Sequence, residues 1–260
     1  MTPVFDAYAA YYDLLYRDKN YAEEARHIHR LIQRYRPGAK RILELGSGTG
    51  RHACLLAEMG YEIHGIERSP VMLENARALA AKSACRNRIS FEQMDIRELG
   101  VSDSYDVALS LFHVVSYLTD NRDLQKTFAA IARNLGPDGI FLFDCWYGPA
   151  VLHHVPEVRV KRVENESCRL VRIAEPSMKP RADIVEVRYD MFIEQKADGR
   201  IQHFSEIHPM RYFFEPELEM LLERSGLGLL ACEADLGLEC PPSEQHWGLT
   251  VVARPQPQAG

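Results

Sequence analysis

The sequence predicts an α/β protein with a doubly wound, mostly parallel seven-stranded sheet, interrupted after the fifth strand by an antiparallel β insertion. Short apolar, β-branched runs alternate with amphipathic stretches from residue 41 to 145, the pattern of parallel strands covered on both faces. Glycines 46, 48 and 50 follow the first strand and lead into a helix, as the first turn of such sheets does. Beyond residue 157 the alternation yields to four long runs of β-branched and aromatic residues, with Asp198-Gly199 between the last two, the signal of a hairpin.

Residues 4–16 place Phe5, Tyr8, Tyr12 and Leu15 at helical spacing, and residues 21–36 repeat it with Ala25, Ile28, Ile32 and Tyr35. Two amphipathic helices therefore precede the sheet. Pro37-Gly38 ends the second, residues 41–45 form a short buried strand, and 51–59 a helix stopped at Gly60. The second strand spans 61–67, after which Ser69 and Pro70 supply an N-cap and first-turn proline for a helix to residue 81. Further strands are expected over 88–94, 105–111 and 139–145, the last preceded by a helix over 120–135. Strands over 158–163, 168–174, 184–195 and 201–214 make the insertion, and a helix over 217–225 leads to closing strands over 227–232 and 247–253. The chain thus divides into a helical cap (1–40), an α/β core (41–150 and 215–254), the insertion (151–214) and a tail (255–260).

With 260 residues, 46% of them apolar, the chain can bury a sizeable core. Its 31 basic and 37 acidic residues leave a net charge of -6 with no long run of one sign, so nucleic acid and anionic lipid are not expected partners. Six scattered cysteines without a CxxC pair fit a reducing cytosol. The first twenty residues lack a basic start and apolar core, and no run of about 18 apolar residues occurs, so a cytoplasmic protein is expected. His27 and His29 point to different helix faces, and His153-His154 fall in a predicted loop without carboxylates at ligand spacing. No metal is expected.

The central chemical signal is the run Ile42-Leu43-Glu44-Leu45-Gly46-Ser47-Gly48-Thr49-Gly50. Position 51 is arginine, so the spacing is GxGxG rather than the GxGxxG of dinucleotide sites. Glu44 would repel a diphosphate but favour an ammonium group, so the ligand preferred is an aminoacyl nucleoside. Glu67, 21 positions beyond Gly46 at the end of the second strand, can accept from ribose hydroxyls, a device nicotinamide sites share. Asp95, at the end of the third, can accept from an adenine amino group or cap the turn that follows.

The runs ILELGSGTG, IHGIERSPVMLENAR, MDIREL and NLGPDGIFLF, in this order over about residues 41 to 145, resemble the motifs of class I S-adenosylmethionine (SAM)-dependent methyltransferases, with their Rossmann-like fold. The resemblance implies SAM as cofactor, with Gly46, Gly48 and Gly50 along its methionine part, Glu44 at the amino group, Glu67 at the ribose, Asp95 with Ile96 at the adenine, and Ser47, Arg68 and Leu111 also in the cofactor site. The opening AAYYDLLYRDKNYAEEA, the run DCWYGPAVL and the β insertion resemble the amino-sugar N-methyltransferases that act on nucleotide-linked deoxysugars. That likeness implies a small-molecule acceptor such as a nucleotide sugar, N- or O-directed transfer, and closure of Tyr12, Tyr16 and Tyr21 over the site. The sugar enzymes carry a histidine after the fourth strand. Here a gapless match places Tyr117 there, with His113 four residues earlier, so His113, Tyr117 and Tyr16 are the catalytic candidates. Arg159, Lys161, Arg162, Arg169, Arg172, Lys179 and Arg181 of the insertion form a solvated face or meet a substrate diphosphate. Exposed sheet edges there admit a homodimer. A protein or nucleic-acid methyltransferase, or a non-catalytic SAM-binding scaffold, are the alternatives.

Overall fold

The computed structural model describes residues 7–100 and 104–256. Strands β1 (Arg41–Leu45), β2 (Glu62–Glu67), β3 (Ile89–Gln93), β4 (Tyr105–Ser110) and β5 (Leu135–Tyr147) are parallel, in the order β3-β2-β1-β4-β5. Four antiparallel strands follow, β6 (Arg159–Glu164), β7 (Cys168–Lys179), β8 (Ile184–Gln195) and β9 (Ile201–Phe213), each paired with its chain neighbour. The chain then returns through β10 (Leu227–Glu233) and β11 (Gly248–Pro255), with β11 antiparallel to both β5 and β10. The core order β3-β2-β1-β4-β5-β11-β10 therefore reverses between β1 and β4, which opens a crevice beyond their carboxyl ends.

Period-two alternation builds two cores, one on each sheet face. Leu43 and Leu45 of β1, Ala108 of β4 and Phe141 and Phe143 of β5 pack under α5 (Asn121–Asn134) and α7 (Glu215–Arg224). Their neighbours Ile42, Val107, Leu109, Ile140 and Leu142 pack under α2 (Tyr21–Tyr35) and α3 (Arg51–Glu58). Both faces being covered, these strands read as continuous apolar runs. Each fully buried leucine or phenylalanine contributes about 1.5–3 kcal/mol.

The insertion curls over the crevice. Leu170, Met191 and Ile193 pack against Tyr8, Tyr12 and Leu15, while the end of β9 returns to the core by pairing Tyr212 and Phe213 with Trp146 and Tyr147 of β5.

Several boundaries differ from those expected. The predicted first helix is a 3-10 turn, Tyr8–Tyr11, followed by the single turn α1 (Tyr12–Leu15), and Phe5 lies outside the described residues. Tyrosine is a mediocre helix former, and this segment is fixed instead by packing on the insertion and by the Tyr8 amide, which donates to Glu206 at 2.9 Å. His153 ends a short helix, α6 (Gly148–His153), rather than lying in a loop, and Pro149 in its first turn was the available signal. β7 runs on past Pro176 to Lys179. Its partner β6 ends opposite Ala174, so the proline stands where β7 has become an edge. β5 starts at Leu135, which pairs irregularly with Tyr105, and α7 starts two residues early with Pro216 in its first turn. α4 (Pro70–Lys82) starts as predicted, with the Ser69 hydroxyl accepting from the Met72 amide.

Asp106 locks the entry to β1. It accepts from the Lys40 and Arg41 amides at 2.8 and 3.0 Å and pairs with the Arg36 guanidinium at 3.0 Å. Burial alone would raise this carboxyl, but the two amides and Arg36 hold it below its ordinary value. The carboxylate's stabilisation is thus present above the unfolded value and lost as pH falls through the lower folded one. Asp106→Ala should cost about 1–3 kcal/mol in urea unfolding at neutral pH, with the deficit shrinking towards pH 3.

Candidate active site

The turn after β1 is held by Gly46 and Ser47, whose amides both donate to the Ile66 carbonyl at 2.9 and 3.0 Å. All three glycines adopt positive φ, but for different ends. A Cβ at Gly46 would meet Val114 at 2.8 Å, and one at Gly50 would meet Phe91 at 2.9 Å and the Ala76 backbone at 3.2 Å. A Cβ at Gly48 would meet nothing within 4 Å, and Gly48 lines an open cleft.

The cleft is lined by Gly46, Glu67, Arg68, Asp95, Ile96, Leu111, Phe112 and Tyr117. A smaller recess that shares Tyr12, Gly46, Gly48, Leu111 and Phe112 with it reaches Glu44, Ser47 and Tyr21. The structure thus gathers Tyr12, Tyr21, Glu44, Gly46, Ser47, Gly48, Glu67, Arg68, Asp95, Ile96, Leu111 and Tyr117 around one elongated space. Gly50 sits behind it, against Phe91 and Ala76.

Glu44 is 2% exposed, and its Oε2 has no hydrogen-bond partner. Burial, with Glu67 nearby, pushes its carboxyl up to about 8. A buried carboxylate in this state calls for a cation to ionise against. Glu67 accepts from the Gly48 amide at 2.9 Å and the Ser69 amide at 2.8 Å. Burial raises its carboxyl and those two amides oppose the rise, so it is aimed into the cleft with lone pairs still able to accept hydroxyls. Asp95 does cap the next turn, accepting from the Arg97 amide at 3.0 Å and from its guanidinium at 3.0 and 2.7 Å, while still lining the cleft. Asp13 of α1 pairs with Arg51 at 3.0 Å and accepts from the Thr49 hydroxyl at 2.9 Å, tying the N-terminal segment to the glycine turn.

The three catalytic candidates are placed apart. Tyr117 lines the cleft, with its hydroxyl 2.9 Å from His208 Nδ1. His113 stands between two cleft residues, Phe112 and Val114, in the left-handed conformation, with Nδ1 3.0 Å from Asp144 Oδ2 and its amide donating to Oδ1 at 3.0 Å. Burial would lower the imidazole, but Asp144 outweighs it and the histidine titrates above its ordinary value. Tyr16 lies off the cleft wall, its hydroxyl 3.3 Å from that of Tyr8 and accepting from Arg172 at 3.2 Å. The basic residues of the insertion also divide, since Arg169 pairs with Glu164 and Glu194, and Lys179 with Glu186, on its outer side.

Sequence reasoning missed Asp144, His208 and Glu206. Asp144 was marked only by being the lone carboxylate in the apolar run FLFDCWY, and Glu206 and His208 by alternate spacing with the buried Met210 and Tyr212 on β9.

Residues 42–139 match the family described as "Methyltransferase domain". The chain is a SAM-dependent methyltransferase. A protein of Geobacillus sp. (strain WCH70), whose name goes no further than methyltransferase, is 28% identical to this enzyme over 251 residues, 96% of this chain and 99% of its own. The dTDP-3-amino-3,4,6-trideoxy-alpha-D-glucopyranose N,N-dimethyltransferase of Streptomyces venezuelae is 27% identical over 222 residues, 85% of this chain and 90% of its own. The methyltransferase shares its fold with the crystal structure of Streptomyces venezuelae DesVI, at a TM-score of 0.78 and 24% identity over 95% and 98% of the two chains. Among the described residues no helix is long and apolar enough to cross a membrane.

Glu44 gives the methyltransferase a pH dependence of stability. A folded-state value near 8 lies above the ordinary carboxyl value, so the group's contribution is full below about 4.5 and lost as pH rises through 8. The thermal midpoint of the ligand-free wild type should therefore fall between about pH 5 and 8 by more than that of Glu44→Gln. Scanning calorimetry of the two proteins across that range checks it.

Proposed function

We propose that this enzyme methylates the amine of a nucleotide-linked amino sugar, and that the residues around the cleft hold SAM. The carrying observation is the unpartnered, buried Glu44 oxygen beside the glycine turn, which suits the ammonium of a methionine moiety. Bound SAM supplies a methyl group on a sulfonium. Glu44 anchors the amino end, Glu67 accepts from the ribose hydroxyls, and Asp95 with Ile96 borders the adenine.

The acceptor class comes from the Streptomyces venezuelae relative, whose name gives a dTDP-linked amino sugar as its substrate. The 15% of this chain left outside that match is too short to omit the segment of β6–β9 that covers the crevice. Lys161 lies 5.6 Å from the Tyr16 ring and Arg172 donates to Tyr8 and Tyr16, so cations for a diphosphate stand on the inner side of the insertion. Methyl transfer is an in-line displacement, and alignment of donor and acceptor supplies up to about 7–11 kcal/mol. The protein's task is to hold the amine lone pair against the methyl group, exclude water and receive a proton.

Purified enzyme with SAM should release S-adenosylhomocysteine with dTDP-amino sugars and not with dTDP-sugars bearing only hydroxyls; the reverse preference would refute the acceptor. Glu67→Ala should weaken S-adenosylhomocysteine binding by about 1–3 kcal/mol in calorimetry, through loss of the ribose acceptor.

β6 ends the strand order of the insertion, and Val158 just before it and Val160 within it are 60% and 46% exposed. Pairing of two copies along β6 is the dimer this reading includes. Light scattering should give twice the chain mass, and a monomer at every concentration would remove the dimer.

A further inference from the structure

A carboxylate, an imidazole and a phenol stand in line between the insertion and the cleft. Glu206 and His208 lie on β9 and are 3% and 1% exposed. Glu206 Oε2 is 3.2 Å from His208 Nε2, and His208 Nδ1 is 2.9 Å from the Tyr117 hydroxyl. Glu206 Oε1 accepts from the Tyr8 amide at 2.9 Å. Tyr117 and Pro209, the neighbour of His208, both line the cleft. We propose that Tyr117 is the group that takes the acceptor's proton, and that His208 and Glu206 are its positioning residues, relaying that proton inward.

The donor and acceptor pattern fixes the relay's direction. A carboxylate only accepts, so the His208 hydrogen sits on Nε2, and in the neutral ring Nδ1 must accept the Tyr117 O–H. A phenol oxygen that donates its own hydrogen can also accept one, here from the amine. As the amine's nitrogen forms its bond to the methyl carbon and the sulfonium bond breaks, its N–H proton passes to Tyr117 Oη. The Tyr117 hydroxyl proton passes at the same time to His208 Nδ1. The imidazolium so formed faces the Glu206 carboxylate, and no net charge is left on the phenol.

The surroundings favour this route over a standing phenolate. Burial pushes the Tyr117 phenol well above its ordinary value, so the side chain cannot serve as a base by itself. Among the described residues, the groups facing His208 include Glu206 on its own strand, Tyr117 from the turn after β4, Tyr8 from the N-terminal turn, Tyr189 from β8, Arg172 from β7 and Arg68 after β2. Burial and the two arginines keep the ring neutral, below its ordinary value, and Glu206 opposes them. His208 thus stands ready to accept at neutral pH, whereas His113 is raised by Asp144 and holds its proton more firmly. A purely structural role explains the pair poorly, because a buried hydrogen-bonded polar pair adds little stability over an apolar filling of the same shape.

The inference rests on the SAM and amino-sugar reading, and two measurements keep the two separable. In the first, nitrogen-15 spectra of the histidine rings in the SAM-free enzyme should show His208 protonated at Nε2 only, with its Nδ1 resonance displaced in Tyr117→Phe. An Nδ1-protonated ring would overturn the relay whatever the acceptor. In the second, turnover of dTDP-3-amino-3,4,6-trideoxyglucose is followed against pH. Tyr117→Phe and His208→Gln should lower kcat about 100-fold. Glu206→Gln should lower its plateau about 10-fold and move the acid limb to lower pH, since the imidazolium loses its counter-charge. S-adenosylhomocysteine affinity should stay at the wild-type value in His208→Gln and Glu206→Gln, which separates the relay from folding and cofactor losses. Wild-type kcat and an unmoved acid limb in Glu206→Gln and His208→Gln would overturn the proposal. A wild type that binds SAM but leaves this sugar unmethylated would count against the acceptor alone, and the ring-nitrogen spectra would then decide the relay.

Discussion

The turn after β1 must close against β2 and β4 and still leave its outer side bare, and most of the site follows from how it does both. Amides of Gly46 and Ser47 spend themselves on the Ile66 carbonyl, and the Gly48 amide on Glu67. The turn is thereby tied to the end of β2 before any ligand arrives. Contact with Val114 leaves no room for a side chain at Gly46, whereas open space at Gly48 lets a ligand approach the backbone. Because Glu67 is oriented by two amides, the acid at the end of β2 belongs to the same rigid unit as the glycines, and ligand binding need not order it.

Charge inside this unit is arranged unevenly. Glu44 is buried without a partner, Glu67 is buried with amide partners, and Asp95 at the far wall is satisfied by Arg97. An unpaired carboxyl and two satisfied ones make a gradient along the cleft, with the strongest demand for a cation at the inner end. A ligand with an ammonium at one end and a neutral nucleoside at the other matches that gradient. A dinucleotide, with its diphosphate against the glycine turn, would place negative charge where the demand is for positive.

Much of this was legible in the sequence where one residue type serves one local purpose. β1 was predicted to the residue, and the Ser69-Pro70 helix start and the Asp198-Gly199 hairpin turn were read in place, because each signal is short-range. What could not be read was set by partners distant in the chain. The tyrosine-rich opening has helical spacing, yet it is held by Glu206, 198 positions away, and by the inner face of the insertion. Nothing local in β9 sets His208 apart from the other polar residues of that strand. Only the path of β9 beneath the turn after β4 puts it beside Tyr117.

That path also says why the insertion is more than a cover. β9 joins the core sheet through two residues, Tyr212 and Phe213, so the rest of the strand is free to take an angle set by packing on Tyr8 and Tyr12. Glu206 and His208, at alternate positions of β9, then arrive beside Tyr8 and Tyr117. The turn after β4 supplies the Tyr117 phenol, but the imidazole beside its hydroxyl comes from an element that crosses the crevice. In this chain that element is β9, and the N-terminal segment holds it there by donating the Tyr8 amide to the same Glu206 carboxylate that faces His208. Cap, insertion and acceptor chemistry therefore meet at one buried carboxylate.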